Sequence, residues 1–341
     1  MTAIQFGLML RGQFPQEDDM TQRFNELMLQ GKLADSLGFS CVTKGSHYAG
    51  YPLQDVQQIP FLAALAREAP NVRLNAGIVL LSLHKPLDIA EQLASIDVIS
   101  GGRLIFGIAL GYREVEFKAF GTTQKERVPR FEENLIAIRR LWTENNVNMK
   151  GSHFELEDAS VSLKPVQKPN PPIWVGANAD PAIRRAARIG DCWYMNPHNR
   201  IDTIARQVDV YKAALDEYNK PMPEEFPIRR EVFVAKTKEE ALRICGESLA
   251  IKYKVYHEWG QDKAMPEGDD DLGLEFDELA RDRFLIGSPD EVTEQVVDLH
   301  KRTGANHIIA SMQWPGTPLT ATTDSMQMLA EEVFPKVAQA L

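Results

Sequence analysis

Short apolar runs alternate with amphipathic segments along the chain, beginning within its first ten residues. Ile4–Leu10 is apolar enough for a buried strand, and Gln22–Leu37 places Phe24, Leu27 and Leu33 at helical spacing. Val72–Leu81 is apolar on both faces, as is typical of a parallel strand covered by helices. The pattern predicts eight strands, at Ile4–Leu10, Phe39–Thr43, Val72–Leu81, Leu104–Leu110, Ile173–Ala177, Cys192–Asn196, Ile228–Ala235 and His307–Met312.

A helical segment follows each strand except the last, and one further helix precedes the eighth strand. Pro86 opens one of these segments in its first turn, and Gly101-Gly102 ends it. Eight strand–helix repeats predict an α/β fold of the (β/α)₈ TIM-barrel type, in which the chemistry lies at the C-terminal ends of the strands. A Rossmann-type sheet is the alternative, but no glycine fingerprint follows an early strand.

Two segments interrupt the repeat. Residues 151–166 contain the alternating stretch His153–Lys164, which predicts a β-hairpin excursion. Residues 256–284 contain Trp259–Arg283, a long candidate loop with clustered acidic residues that is either a solvated connector or an active-site lid. We therefore expect residues 1–341 to form a single barrel domain with these two insertions.

Composition and charge exclude several classes of protein. The chain has 341 residues, 44% of them hydrophobic and 25% charged, which is typical of a globular protein. A net charge of -10 argues against a nucleic-acid partner. No apolar run is long enough to predict a membrane span, and the start MTAIQFGLML does not read as a signal peptide, so we expect a cytoplasmic protein. Cys41, Cys192 and Cys245 lack metal-ligand spacing and are interpreted as reduced structural thiols.

A set of sequence blocks carries a family resemblance. The segment from Val72 to Gly121 reads VRLNAGIVLLSLHKPLDIAEQLASIDVISGGRLIFGIALGYREVEFKAFG. The blocks ERVPRFEENLIAIRRLW, PPIWVGANADPAIRRAARIGD, FLIGSPDEVTEQVVDLHKRTGANHI and EEVFP follow in order. Together they resemble the bacterial luciferase-like family of flavin-dependent monooxygenases over nearly the whole chain.

The resemblance implies an enzyme in which reduced FMN and dioxygen form a C4a-peroxyflavin that oxygenates a small organic substrate. A separate flavin reductase would supply the reduced flavin, which fits the lack of an internal GxGxxG unit. The family further implies a homodimer or homotetramer. Two alternatives stay open, namely a deazaflavin-dependent hydride-transfer oxidoreductase on the same fold and a non-catalytic flavin-binding protein.

The end of the fifth strand is a candidate phosphate site. Asp180-Pro181 is typical of a helix start, so backbone N–H groups of the preceding residues would face the barrel mouth and favour an anion. A plain strand–helix turn is the alternative, and the Asp180 carboxylate would repel a phosphate unless it only caps the helix. The cofactor residues predicted here are Gly176, Ala177, Asn178 and Ala179.

Arg113 and Arg130 are the candidate cationic partners of that phosphate. Luciferase-like relatives carry an arginine at the end of the fourth strand where this chain has Leu110, so Arg113 is the natural substitute. A surface position for Arg113 and a helix-face ion pair for Arg130 are the alternatives. The residues Leu110, Gly111 and Tyr112 complete the cofactor contacts expected at this strand end.

The third strand supplies the expected floor under the flavin ring. The resemblance implies cofactor contacts from Asn75, Ala76 and Gly77, with a non-proline cis peptide between Gly77 and Ile78. Met195 and Asn196, at the end of the sixth strand, are expected to touch the flavin or the substrate.

His47 is the predicted catalytic residue. The family places one or two histidines here, over the reactive face of the flavin, and this chain has Ser46 where the second one occurs. A histidine can move protons near neutral pH, although a purely substrate-orienting role is the alternative. His84 and His198 also fall near strand ends, but no HxH or HExxH spacing is present, so no metal site is expected.

Overall fold

The computed structural model describes residues 4–45 and 47–341 of the chain. Eight parallel strands form a closed barrel, in which each strand pairs with its neighbour in sequence and the eighth returns to the first. The predicted TIM barrel is therefore confirmed. Its strands are β1 (Gln5–Leu10), β2 (Cys41–Lys44), β3 (Arg73–Leu80), β4 (Leu104–Ala109), β5 (Ile173–Ala177), β6 (Cys192–Met195), β7 (Pro227–Val234) and β8 (His307–Ser311).

Helices cover the outside of the barrel, and local sequence signals fix several of their ends. Ser288 and Glu291 form a capping box at one helix start, and Gly101 ends another with φ +70°. The helices are α1 (Met20–Ser36), α2 (Gln58–Glu68), α3 (Pro86–Ser100), α4 (Glu114–Ala119), α5 (Arg127–Thr143), α6 (Asp180–Ile189), α7 (Ile201–Glu217), α8 (Lys238–Glu258), α9 (Phe276–Ala280), α10 (Pro289–Thr303), α11 (Leu319–Met328) and α12 (Phe334–Ala340).

The strand side chains alternate between two apolar layers. Leu8, Val42 and Leu74 belong to the large cluster that packs against the helices, while Met9 and Trp174 belong to a smaller cluster inside the barrel. All three cysteines are free and buried. Because side chains fill the lower part of the barrel, a ligand inside the barrel would lie near the C-terminal strand ends.

The predicted hairpin lies earlier in the chain than expected. Val147–Lys150 pairs antiparallel with Glu155–Ala159, so the placement at 151–166 is wrong by several residues. The tight turn closes where the Gly151 N–H donates to the Phe154 carbonyl at 3.0 Å. The apolar alternation after Phe154 therefore covers only the second strand of the hairpin and an irregular stretch behind it.

The long segment Trp259–Arg283, which we call the lid segment, folds back over the barrel mouth. It contains α9 and a buried ion pair between Asp269 and Arg283, whose atoms lie 3.0 Å apart. Its own Leu272 and Leu279 are buried. Among residues 4–45 and 47–341, no helix has the length and apolarity needed to cross a membrane.

Candidate active site

A cavity of about 400 Å³ lies at the C-terminal ends of the strands, beneath the lid segment. Its size falls within the range of small-molecule sites in proteins. Eleven of the residues predicted from the sequence line this cavity, namely His47, Gly77, Leu110, Gly111, Tyr112, Gly176, Ala177, Asn178, Ala179, Met195 and Asn196. Four predicted residues do not line it, and these are Asn75, Ala76, Arg113 and Arg130.

One side of the cavity, which we call the backbone wall, consists of Gly77, Ile78, Ala109, Gly176 and Ala177 at the ends of β3, β4 and β5. The peptide bond between the first two is cis, as predicted from the resemblance. These residues carry small or apolar side chains. The wall therefore offers a planar ligand a surface made mostly of main chain.

Close packing behind the backbone wall explains why Asn75 and Ala76, which were predicted to contact the cofactor, do not line the cavity. A Cβ added to Gly77 would lie 2.7 Å from both Asn75 Nδ2 and Thr43 Cγ2, so this position has no room for a side chain. Asn75 itself is fully buried, and its Nδ2 donates to Thr43 Oγ1 at 3.2 Å. Asn75 and Ala76 thus support the wall from behind instead of facing the cavity.

The N-terminus of α6 adjoins the backbone wall and faces the cavity through Asn178 and the N-cap residue Ala179, which directly precede the helix, and through Ala182 in its first turn. The Asp180 carboxylate does not face the cavity, because it accepts two hydrogen bonds from Arg206, at 2.8 and 3.0 Å. These hydrogen bonds also lower the pKa of Asp180. The repulsion expected between Asp180 and a phosphate is therefore removed by a neighbouring arginine.

Different arginines reach the cavity from those predicted. Arg113 is buried and donates to the carbonyls of Tyr48 and Ala49, at 2.9 and 3.3 Å. Arg130 is also buried, and its Nε donates to the Ser82 carbonyl at 2.7 Å. Arg127, one turn earlier in α5, lines the cavity instead.

His47 is held by a buried carboxylate. Its Nδ1 donates to Glu116 Oε1 at 3.0 Å, and the same oxygen accepts from the Tyr48 N–H at 3.0 Å and from Arg113 at 3.4 Å. Glu116 lies in α4 and has no solvent exposure. With Nδ1 occupied, Nε2 is the ring nitrogen left for a ligand in the cavity. Ser46, the position of the second family histidine, lies outside the described residues.

The lid segment contacts this histidine directly. Trp259 packs edge-on against His47, with ring centroids 5.4 Å apart, and the Arg113 guanidinium lies 4.2 Å from the centroid of the Trp259 ring. Gln261 and Met265 line the cavity nearby. The lid interpretation of this segment is thus favoured over a solvated connector.

The opposite side of the cavity, which we call the arginine wall, consists of Arg11, Gln13, His198, Arg229 and Tyr256. Arg11 follows β1 and hydrogen-bonds to Gln13 and, at 3.4 Å, to Tyr256 Oη. Arg229 lies in β7, and its Nε donates to Ser311 Oγ at 2.9 Å. Burial lowers the pKa of His198 well below its usual value, so this histidine is neutral.

His198, which the sequence placed near a strand end, does line the cavity. Sequence reasoning missed the other members of the arginine wall, and also Glu116 and Arg127. Arg11 directly follows a predicted strand, and Arg229 is a charged residue within one; both are signals of a barrel-mouth position. Glu116 lies in the EFKAFG block, but α4 is only six residues long and the hydropathy pattern did not predict it. The partners of these side chains depend on tertiary contacts that spacing does not encode.

His84, the other histidine near a strand end, does not line the cavity. Its Nε2 lies 3.2 Å from Tyr48 Oη, and burial lowers its pKa to about 4. His84 therefore packs as a neutral ring behind the site.

Comparison with known proteins agrees with this geometry. A family model of luciferase-like monooxygenases matches residues 4–307. An FMNH2-dependent dimethylsulfone monooxygenase of Pseudomonas putida is 30% identical over 296 residues, covering 82% of this chain and 80% of its own. The crystal structure of the monooxygenase RslO1 from Streptomyces bottropensis superposes with a TM-score of 0.84 at 28% identity, covering 97% of this chain and 99% of that one.

The similarity also extends to proteins with a different cofactor. An F420-dependent glucose-6-phosphate dehydrogenase of Amycolatopsis mediterranei is 24% identical, covering 82% of this chain and 83% of its own. The predicted family and the prediction of an oxidoreductase of the monooxygenase type are nevertheless confirmed. Because the family model spans most of its length, the chain belongs to the family of luciferase-like monooxygenases.

Proposed function

We propose that this protein uses reduced FMN and dioxygen to insert one oxygen atom into a small organic molecule. The observation that carries the proposal is the hydrogen-bonded pair His47–Glu116 at the edge of the cavity. The same cavity also contains the backbone wall and the N-terminus of α6. The family and its FMNH2-dependent member support the choice of cofactor. A separate reductase as the source of reduced FMN is part of the proposal.

The residues of the cavity fit a flavin. Small and apolar groups of the backbone wall suit a flat conjugated ring. Tyr112 Oη and Asn196 Nδ2 are buried and have no hydrogen-bond partner among the residues that the structure describes, so they are available to the heteroatoms of the ring. Asn178 and Ala179 at the N-terminus of α6, together with Arg127, would hold the phosphate. When bound, reduced FMN would supply the electrons that activate dioxygen.

His47 acts on protons in this proposal. Glu116 fixes the imidazole through Nδ1, so Nε2 is held at the cavity side and can give a proton to, or take one from, the reacting groups. Glu116 is thus a positioning residue, and His47 is the catalytic one.

The lid segment excludes water from this site. Trp259 covers His47 and Arg113, while Gln261, Lys263 and Met265 close the cavity above the strands. Exclusion of water protects reactive intermediates from proton leakage. Opening of the lid would then admit reduced flavin and substrate and release product.

The test is to mix the protein with reduced FMN without oxygen, then add dioxygen and follow the flavin spectrum. We expect tight binding of reduced FMN and reoxidation at least about tenfold slower than that of free reduced FMN, because the lid shields the flavin. An NADH-dependent flavin reductase held behind a dialysis membrane should sustain turnover, since only FMN has to diffuse. Preferential binding of F420 with no effect on FMN reoxidation would overturn the proposal.

The assembly state stays a prediction. A homodimer or homotetramer is proposed from the family resemblance alone, and sedimentation velocity of the purified chain measures it directly.

A further inference from the structure

Several buried donors on the arginine wall have no hydrogen-bond partner within the described part of the chain. They include Arg11 Nε and Gln13 Nε2, and both residues are at most 9% exposed. Both residues line the cavity. Buried polar groups in native proteins are nearly always satisfied, so these donors indicate an acceptor that the protein itself does not provide.

The wall also has more positive than negative groups in direct contact. Two cations have buried carboxylate partners, since Lys252 pairs with Glu231 and Arg283 with Asp269. Across the described residues, neither Arg11 nor Arg229 forms an ion pair with a carboxylate, and the same holds for the fully buried Arg230 behind them. Burial lowers the pKa of Arg230 to about 10.

Arg11 is buried and Arg229 is half-buried. Glu231 attracts both arginines electrostatically, but its own ion pair is with Lys252. Cations held out of water without a direct partner are costly, and a bound anion would offset that cost. The groups left free suit a compact oxyanion. Arg229 uses its Nε on Ser311, so its terminal nitrogens remain available, and Arg11 keeps its Nε. Guanidinium groups bind planar or tripodal oxyanions through paired hydrogen bonds.

The arginine wall lies opposite the candidate phosphate site. An anion bound at this wall is therefore distinct from the flavin phosphate. The first turn of α6 follows β5, whereas Arg11 follows β1, and these two strands are diametrically placed in a closed barrel of eight. A flavin phosphate at Asn178 and Ala179 therefore leaves the arginine wall for a different group. Met195 and Met265 line the cavity and provide apolar surface for the rest of that molecule.

From this arrangement we propose that Arg11 and Arg229 bind the carboxylate or sulfonate of the substrate, which is a small organic acid. The inference rests on the proposed function, because it names the substrate class of the same site. The other source of a negative charge at this wall is the reduced flavin ring itself, and the test below separates the two.

The test uses calorimetric titration of the purified protein with benzoate, 1-butanesulfonate and neutral benzamide, with and without oxidised FMN. We expect at least one of the two anions to bind about tenfold or more tightly than benzamide. Arg229→Gln and Arg11→Gln should each weaken anion binding by about tenfold, while the Kd of reduced FMN stays within about twofold. Arg11→Lys, which keeps the charge, should retain part of the affinity.

Arg243→Gln is the matched control, because this arginine lies on the outer face of α8 with a 72% exposed side chain. It should leave both ligands unaffected. Equal binding of benzoate and benzamide would overturn the proposal. So would a tenfold loss of reduced-FMN affinity in Arg229→Gln without loss of anion binding. If the chain binds the anions but not FMN, the proposed flavin chemistry fails while this site stands.

Discussion

The two walls of the cavity recognise ligands by different physical means. The backbone wall has glycines and small apolar residues, and its selectivity comes from shape and main-chain groups. The arginine wall has long charged side chains whose hydrogen bonds are only partly satisfied by the protein. Side-chain charge is thus concentrated where the substrate is proposed to bind and is nearly absent where the flavin ring would lie.

This difference implies that the walls can change independently. A substitution that fills space should act on the backbone wall, while one that removes charge should act on the arginine wall. His47 and its partner Glu116 belong to neither wall, and we expect proton transfer in the chemical step to depend on them. The variants of the walls and of this pair should therefore each change mainly one ligand or one step.

The largest effect is expected at His47. His47→Gln should lower turnover by about 100-fold or more, because it removes the proton-transferring group. Binding of reduced FMN should be nearly unchanged. Glu116→Gln should lose about tenfold in turnover and shift the pH profile, since the imidazole keeps its place but loses a charged partner.

His300→Gln is a suitable control for these two variants, because His300 lies in α10, away from the cavity, and bonds to the Ala305 carbonyl. Steady-state rates over a pH series separate the roles. Equal loss of FMN affinity and turnover in His47→Gln would assign this residue to binding instead of catalysis.

Filling the backbone wall should have the next largest effect. A Cβ at Gly176 would make only ordinary contacts, 3.5 Å from Ala109 Cβ and 3.6 Å from Ile78 Cδ1. We therefore expect substitutions at this position to be compatible with the fold. Gly176→Leu should weaken reduced-FMN binding by about 100-fold, because its branched end occupies the cavity. Gly176→Ala should have a much smaller effect. An unchanged Kd in Gly176→Leu would mean that the flavin does not lie against this wall.

The same contrast explains what the sequence predicted and what it did not. Strand periodicity and the proline signal predicted the barrel and the helix at Asp180-Pro181, because these features are local. The part of the backbone wall at Gly77 was implied by the resemblance. The resemblance also located His47 and the cis bond before Ile78. Arg113 and Arg130 were expected at the cavity because they flank a strand end, but carbonyl groups from other loops bind them.

The arginine wall was not predicted, because its residues are far apart in the sequence and a position near a strand end does not show what a side chain will contact. Arg11, Arg229 and Tyr256 come from β1, β7 and α8 and meet only after the barrel closes. Their unsatisfied donors are a property of the folded chain. The position of Glu116 beneath His47 has the same origin, since the two residues are 69 positions apart.

The third prediction concerns the pH dependence of fold stability, through a residue that belongs to neither wall. His307 lies at the start of β8, the end of the barrel away from the cavity, and burial lowers its pKa to about 3. The unfolded chain takes up a proton near the ordinary value of about 6.5, but the folded chain does not. Stability should therefore fall as the pH drops from about 6.5 towards 3, by up to about 1.4 kcal/mol per pH unit from this group.

Urea unfolding at several pH values measures this slope. His307→Gln removes the titrating group and should flatten the dependence by that amount. An identical slope in the variant would mean that other groups cause the loss of stability in acid.

The smallest effect is expected at the lid. Trp259→Ala removes the ring that covers Arg113 and His47, contacts that are together worth about 1 kcal/mol, so turnover should fall about fivefold. Bound reduced FMN should also reoxidise faster, since water and oxygen enter more freely. Trp259→Phe should keep most of the shielding. Unchanged rates in Trp259→Ala would show that the lid segment does not shield the site.

The most direct test is one comparison of two variants with two ligands. The dissociation constants of reduced FMN and of benzoate or 1-butanesulfonate are measured for Gly176→Leu and Arg229→Gln under the same anaerobic conditions. We predict that Gly176→Leu weakens FMN by about 100-fold and that Arg229→Gln weakens the anion by about tenfold, each with little effect on the other ligand. If both variants weaken the same ligand and spare the other, the two walls do not bind separate groups and the division of the cavity is contradicted.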